Sequence, residues 1–277
     1  MEIEILEQDE YNLRFILKDV SIEMVNSIRR IMMSWIPCMA IDEVIILKND
    51  SPLYDEILAH RIGMIPLKTD LDSYKLPEDC ECGGFGCPNC QCSLTCEIMN
   101  DTKNTMVIYS GDLKTNDPNI VPVNPNIPIV KIDSNSSLIF EAYATLGRGR
   151  THIKWQPVSN AFFRYLPQIE FDDSKCKNCP DKCIVSRMCP ENLYDFSNGK
   201  KPELVEDYWK KCTLCRSCEE NCPEDAVKVD WNEKSYIFSI ESDGVLPFDM
   251  LIEKTFEIFL GKIDEFQSDL EQIEVEE

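Results

Sequence analysis

The residues that could do chemistry are cysteines. The chain holds 15 of them, and 14 fall in three tight clusters. In one, Cys212, Cys215, Cys218 and Cys222 stand at the spacing C-x2-C-x2-C-x3-C, and Pro223 follows. Four thiolates at these spacings satisfy the four irons of a cubane. The short gaps let three of them wrap one corner, while the fourth, beside proline, points elsewhere. Upstream, Cys176, Cys179, Cys183 and Cys189 form a looser copy, C-x2-C-x3-C-x5-C, again closed by a proline, Pro190. In a two-cluster arrangement the fourth cysteine of one run ligates the other cluster. The pattern therefore predicts two 4Fe-4S clusters. One is held by Cys212, Cys215, Cys218 and Cys189, the other by Cys176, Cys179, Cys183 and Cys222. Zinc or unliganded thiols are the other readings of the same residues.

The remaining cluster is CECGGFGCPNC, in which Cys80, Cys82, Cys87 and Cys90 are interleaved with glycines. Glycine permits the tight turns that a tetrahedral site of four sulfurs needs. One zinc ion is the expected occupant, and a metal-free loop is the bland alternative. Cys92 and Cys96 compete as ligands, although Cys96 sits in a strand-like run and suits a packed core thiol.

No catalytic set accompanies these sites. The two histidines, His60 and His152, adjoin no nucleophile motif, and no Walker, zincin or Gly-x-Ser-x-Gly pattern is present. No spaced aspartate triad offers to hold catalytic magnesium. LGRGRTHIKWQPV, residues 146–158, carries two glycines and three cations but lacks the context of a phosphate loop. It reads as a surface loop that meets an acidic or protein partner.

Bulk properties narrow the classes further. The formal net charge is −22, so no direct nucleic-acid binding is expected. No apolar run approaches the length of a membrane span. The acidic start, MEIEILEQDE, does not resemble a secretory leader. Clustered cysteines without such a leader suit metal–thiolate chemistry in a reducing cytoplasm. The last stretch, after Lys262, reads as a solvated acidic tail.

The elements that must position these residues form an α+β pattern. Strands are predicted over 2–6, 13–17, 44–47, 94–98, 105–109, 127–132, 138–145 and 235–241. Ser21 can cap a helix whose apolar residues include Val25, Ile28, Ile31, Met32 and Trp35, with Pro37 ending the run. A second helix is expected between Ser51 and Gly63, with Ser51 as its cap. A long amphipathic helix begins near Phe248 and carries Phe256, Phe259 and Leu260. Each apolar stripe could face its own sheet or a second chain. The region around the eight cysteines has roughly fifty residues, too few for a sufficient apolar core, so metal clusters can supply what burial cannot.

Residues 20–44, VSIEMVNSIRRIMMSWIPCMAIDEV, resemble the first assembly helix of the alpha-like subunits of cellular RNA polymerase. LAHRIGMIPL, residues 58–67, is similar to the segment after it. CECGGFGCPNC, ATLGRGRTHIKWQPV and the double cysteine motif resemble the archaeal branch of that family. The resemblance covers essentially the whole chain, in order. It implies a non-catalytic platform that pairs with the small alpha-like subunit L and nucleates assembly of the large catalytic subunits. It also implies a discontinuous dimerisation domain (1–42 and 229–277), an inserted mainly-β domain (43–165) and a ferredoxin-like 4Fe-4S domain (166–228). Val25, Ile28, Ile31, Met32, Trp35, Phe256, Phe259 and Leu260 would then form the partner interface. A ferredoxin-type electron carrier is the runner-up; it accounts for residues 176–222 and nothing else.

Overall fold

The computed structural model describes residues 1–172, 174–175, 183–195 and 203–275. Cys176 and Cys179 lie outside the described residues. The chain is a mixture of helix and strand in two compact units. Unit 1 comprises residues 1–6, 14–25 and 163–238; unit 2 comprises 7–13, 26–162 and 239–277. These units cut across the four segments that the resemblance implies.

The elements run in the order β1 (Glu2–Gln8), β2 (Asn12–Lys18), α1 (Ile22–Ser34), β3 (Pro37–Asn49) and α2 (Asp55–Gly63). There follow β4 (Gln91–Met99), β5 (Met106–Tyr109), β6 (Lys114–Thr115), β7 (Pro128–Ile132), β8 (Ser137–Arg148) and β9 (Val158–Phe171). Then come the short α3 (Val185–Met188), β10 (Tyr194–Asp195), β11 (Glu203–Leu204), α4 (Tyr208–Lys211) and α5 (Ser217–Glu220). β12 (Val227–Ser242) and α6 (Phe248–Val275) close the chain.

In unit 2 the main sheet has the order β3-β8-β4-β6, and β5 pairs with β7. β3 and β8 pair antiparallel from Pro37↔Arg148 to Asn49↔Leu138, with irregularities at Ile41/Glu43 and Ile46/Lys48. Alternation sorts the β4 side chains. Cys92, Leu94 and Cys96 are buried on one face, in one core with Met39, Phe140 and Ala142. Leu58 and Ile62 of α2, one turn apart, join that core. Ser51 does not cap α2. Its hydroxyl donates to Asn49 Oδ1 at 2.6 Å, and the helix starts only at Asp55. A serine that bonds its own turn is not available to a helix N-terminus.

In unit 1 the sheet order is β1-β2-β12-β9, with β10 and β11 as a separate pair. Aromatic rings form its filling: Phe15 stacks on Phe238 at 5.3 Å, and Phe163 meets Tyr236 edge-on at 5.7 Å. A second core gathers Ile169, Val185, Leu193, Val227 and Val229 around Cys183, Cys212, Cys218 and Cys222. The sequence pattern did not predict β9. Its apolar residues do not alternate cleanly, and Pro167 interrupts the run. The acidic end of the chain, read as a solvated tail, is helical through Val275 and exposed as far as residue 272.

Candidate metal centres

The Cys80–Cys90 loop starts with a single 3-10 turn, Pro77–Asp79, and then doubles back on three glycines. Gly83, Gly84 and Gly86 have φ of 66°, 83° and 87°, a region that residues with a Cβ rarely occupy. The result brings four thiols together. Sγ of Cys80 lies 3.5 Å from Cys87 and from Cys82; Cys82 to Cys90 is 3.5 Å and Cys87 to Cys90 is 3.7 Å. A tetrahedron with zinc–sulfur bonds of about 2.3 Å has edges of about 3.8 Å. The four sulfurs therefore fit one tetrahedral ion. They stand too close together to bind four separate irons of a cube. Cys80 and Cys90 are buried while Cys82 and Cys87 are half-buried, so the site has a closed and an open side. Hydrogen bonding with Cys80, and then with Cys90, pulls the Cys82 thiol down to about 6. Burial pushes Cys90 up to about 12.

Cys92 and Cys96 stay out of this group. The Cys92 thiol donates to Asn116 Oδ1 at 3.1 Å. Cys96 is packed in the core, and burial pushes its thiol up to about 12.

In unit 1, Cys189, Cys212, Cys215 and Cys218 line one cavity together with Ile169, Tyr194 and Val229, and Cys215 is exposed at its edge. The turns that aim these thiols use strained positions: Leu214 and Arg216 both have φ of 57°. Cys212 and Cys218 are buried, and desolvation raises their thiols. The Ser217 N–H lowers that of Cys215. Cys222 is buried elsewhere in the same core, where its sulfur accepts from the Ala226 N–H at 3.3 Å. A further residue positions this motif. Arg164 on β9 donates to the carbonyls of Cys212 at 2.5 Å, Trp209 at 3.4 Å, and Lys210. It thereby satisfies the last carbonyls of α4 where the chain turns into the cysteine run. Spacing within the motif gives no sign of it, because Arg164 is 48 residues from Cys212.

The comparisons with known proteins bear on the whole chain. Residues 40–167 match the family model described as the RNA polymerase Rpb3/RpoA insert domain. The chain is 40% identical over 258 residues to the DNA-directed RNA polymerase subunit Rpo3 of Methanosphaera stadtmanae, covering 91% of this chain and 92% of that protein. It is 38% identical to the Rpo3 of Archaeoglobus fulgidus, with 99% of each covered. For that of Pyrococcus furiosus the identity is 33%, covering 99% of this chain and 98% of the relative. The chain belongs to the Rpo3 family. It is a non-catalytic subunit of a nucleotidyltransferase complex.

Within the Rpo3 chain the residues expected at the interface differ in burial. Val25, Ile28, Ile31 and Met32 are each at most 5% exposed within the chain itself. These four side chains are buried within the chain itself. Trp35, Phe256 and Phe259 are half-buried, and Leu260 is 59% exposed. Ile263, Phe266 and Leu270 extend the open stripe along α6. Trp35 lies between two cations, with Arg150 Cζ 4.5 Å and Lys262 Nζ 3.2 Å from its ring centroid.

The 146–158 segment of this Rpo3 chain also differs from an open cationic loop. Arg148 pairs with Glu78, and Lys154 pairs with Asp42 at 2.6 Å. His152 Nδ1 accepts from the Lys154 N–H at 3.1 Å. The cations of this segment act inside the chain. Among the described residues no helix is long and apolar enough to cross a membrane.

Proposed function

We propose that this chain is the assembly platform of an archaeal DNA-directed RNA polymerase. It pairs with the small alpha-like subunit L, and the pair nucleates joining of the large catalytic subunits. Membership of the Rpo3 family, together with the apolar stripe that α6 leaves open, carries this reading. Burying such side chains is worth roughly 1.5–3 kcal/mol each. Residues 1–42 and 229–277 act as the dimerisation domain, 43–165 as the insert and 166–228 as a ferredoxin-like domain. The chain works in the cytoplasm, away from the DNA path, a position that a charge of −22 supports.

Three metal groups support that platform. Cys80, Cys82, Cys87 and Cys90 hold one zinc ion, which ties the glycine loop. Cys212, Cys215, Cys218 and Cys189 hold one 4Fe-4S cluster, which fits four thiols lining one cavity. Cys176, Cys179, Cys183 and Cys222 hold a second. When bound, the clusters supply cross-links and a one-electron couple to a region too small to build its own core. The chain's residues orient the thiols and bury those of Cys212 and Cys218. Arg164 fixes the entry to the second motif, and Ile169 and Val229 close the cavity. The role is structural or redox-sensing. An electron carrier needs only the cysteine region, whereas the Rpo3 likeness runs along 99% of the chain.

Anaerobic purification of the tagged chain from its native cells tests the reading. Nucleotidyltransferase subunits are expected to co-purify, and the L subunit at equal stoichiometry. Redox enzymes in their place would overturn it.

A further inference from the structure

The hydroxyl of Tyr194 is a buried polar atom with no hydrogen-bond partner among the described residues. Tyr194 is only 8% exposed, and a tyrosine hydroxyl at that depth normally has an acceptor. The ring is not free to seek one. It meets Phe171 edge-on at 5.8 Å, and its backbone pairs with Leu204 across β10 and β11. Tyr194 lines the same cavity as Cys189, Cys212, Cys215 and Cys218. A donor held by packing, its hydroxyl unpaired by geometry among the described residues, lines one cavity with four thiols that suit a cluster.

We propose that Tyr194 donates a hydrogen bond to the cluster held by Cys212, Cys215, Cys218 and Cys189, on the sulfur of Cys218 or the sulfide beside it, and that this bond sets the cluster's reduction potential. The inference rests on the iron–sulfur reading above. Reduction places added negative charge on the sulfurs. A donor therefore stabilises the reduced cluster more than the oxidised one and raises the potential. No proton is transferred. The hydroxyl of Tyr194 is a tuning and positioning group, and the cysteines remain the ligands.

The test uses the full chain with its small partner subunit, purified anaerobically. The cluster in question is the one whose electron paramagnetic resonance signal Cys212→Ser abolishes. Tyr194→Phe removes the hydroxyl and keeps the ring on Phe171. Iron and sulfide content should stay at the wild-type level. The reduction equilibrium should fall about tenfold, a shift of about 59 mV to more negative potential for a one-electron couple. An unchanged potential at full iron content overturns the proposal. Tyr194→3-fluorotyrosine, a stronger donor of nearly the same size, should shift the potential upward. That arm decides if Tyr194→Phe does not retain its cluster, and no shift there also overturns the proposal. Wild-type protein without iron and sulfide overturns the iron–sulfur reading itself, and metal analysis shows this before any potential is measured.

Discussion

Lys262 Nζ stands 3.2 Å from the centroid of the Trp35 ring, so a cation of α6 lies on the aromatic residue just past the end of α1. This contact fastens the long helix near the point where its apolar stripe becomes exposed. A cation over tryptophan is worth about 0.5–1 kcal/mol at an exposed site. Lys262→Met keeps the apolar stem and should lower the melting temperature by a few degrees in calorimetry. Trp35→Ala should cost several times more, because the ring's buried area goes as well. Equal melting temperatures for the two variants would show that the ring does not hold the helix.

Burial separates two kinds of apolar residue on the expected interface. Ile28 is 3% exposed and Leu260 is 59% exposed. Ile28→Asp buries an unpaired charge and should destabilise the chain on its own, by more than about 2 kcal/mol. Leu260→Asp should leave the unfolding midpoint of the isolated chain within about 0.5 kcal/mol of wild type. It should nevertheless weaken capture of the L subunit. Size-exclusion chromatography of the mixed subunits reads the second effect and denaturant unfolding the first. A Leu260→Asp chain that pairs at wild-type affinity removes α6 from the interface.

Sulfur geometry gives a sharp expectation for the glycine loop. One zinc ion per chain should be found by mass spectrometry, and Cys87→Ser should lose it. Cys96→Ser should retain it, since Cys96 is a core thiol outside the group. Chelation should open a protease site between residues 80 and 90, because these turns have little else to hold them. Zinc retained in Cys87→Ser would contradict the four-sulfur site.

Cys218→Ser should lose one cluster and leave pairing with the small subunit intact. Protease sensitivity should appear within residues 170–228 alone, and reconstitution of whole polymerase should fail. Arg164→Lys should give a weaker form of the same result, since an ammonium cannot span the carbonyls of Cys212 and Trp209 together. Normal assembly of Cys218→Ser, with loss of an electron-transfer activity alone, would favour the carrier reading.

Stability should fall in alkali, and Cys38 contributes to the fall. Burial pushes its thiol up to about 12. The folded state therefore keeps a proton that the unfolded state releases near the ordinary value of about 8.5. The stabilising contribution is complete below that value and is lost as pH rises through it towards about 12. Cys38→Ala should flatten the slope of unfolding free energy between these limits. An identical slope in the variant would exclude Cys38 as a source.

Local patterns made part of this protein legible from sequence. The candidate ligands Cys80, Cys82, Cys87 and Cys90 lie within 11 residues, and glycine turns can gather them. α1 and α6 follow from apolar periodicity, and β4 from alternation, because those signals arise within one element. Tertiary structure decided what covers each stripe. Periodicity marks the apolar face of α1, but only packing shows that Ile28 is sealed by its own chain and Leu260 is not. Arg164 and Tyr194 were equally hidden. Neither belongs to a motif: Arg164 reaches carbonyls 45 and 48 residues away, and Tyr194 lines a cavity with thiols from both cysteine runs. A motif records ligands that are neighbours along the chain, whereas hydrogen bonds and burial depend on distances in space, which the chain acquires only when its strands pair and its cores close.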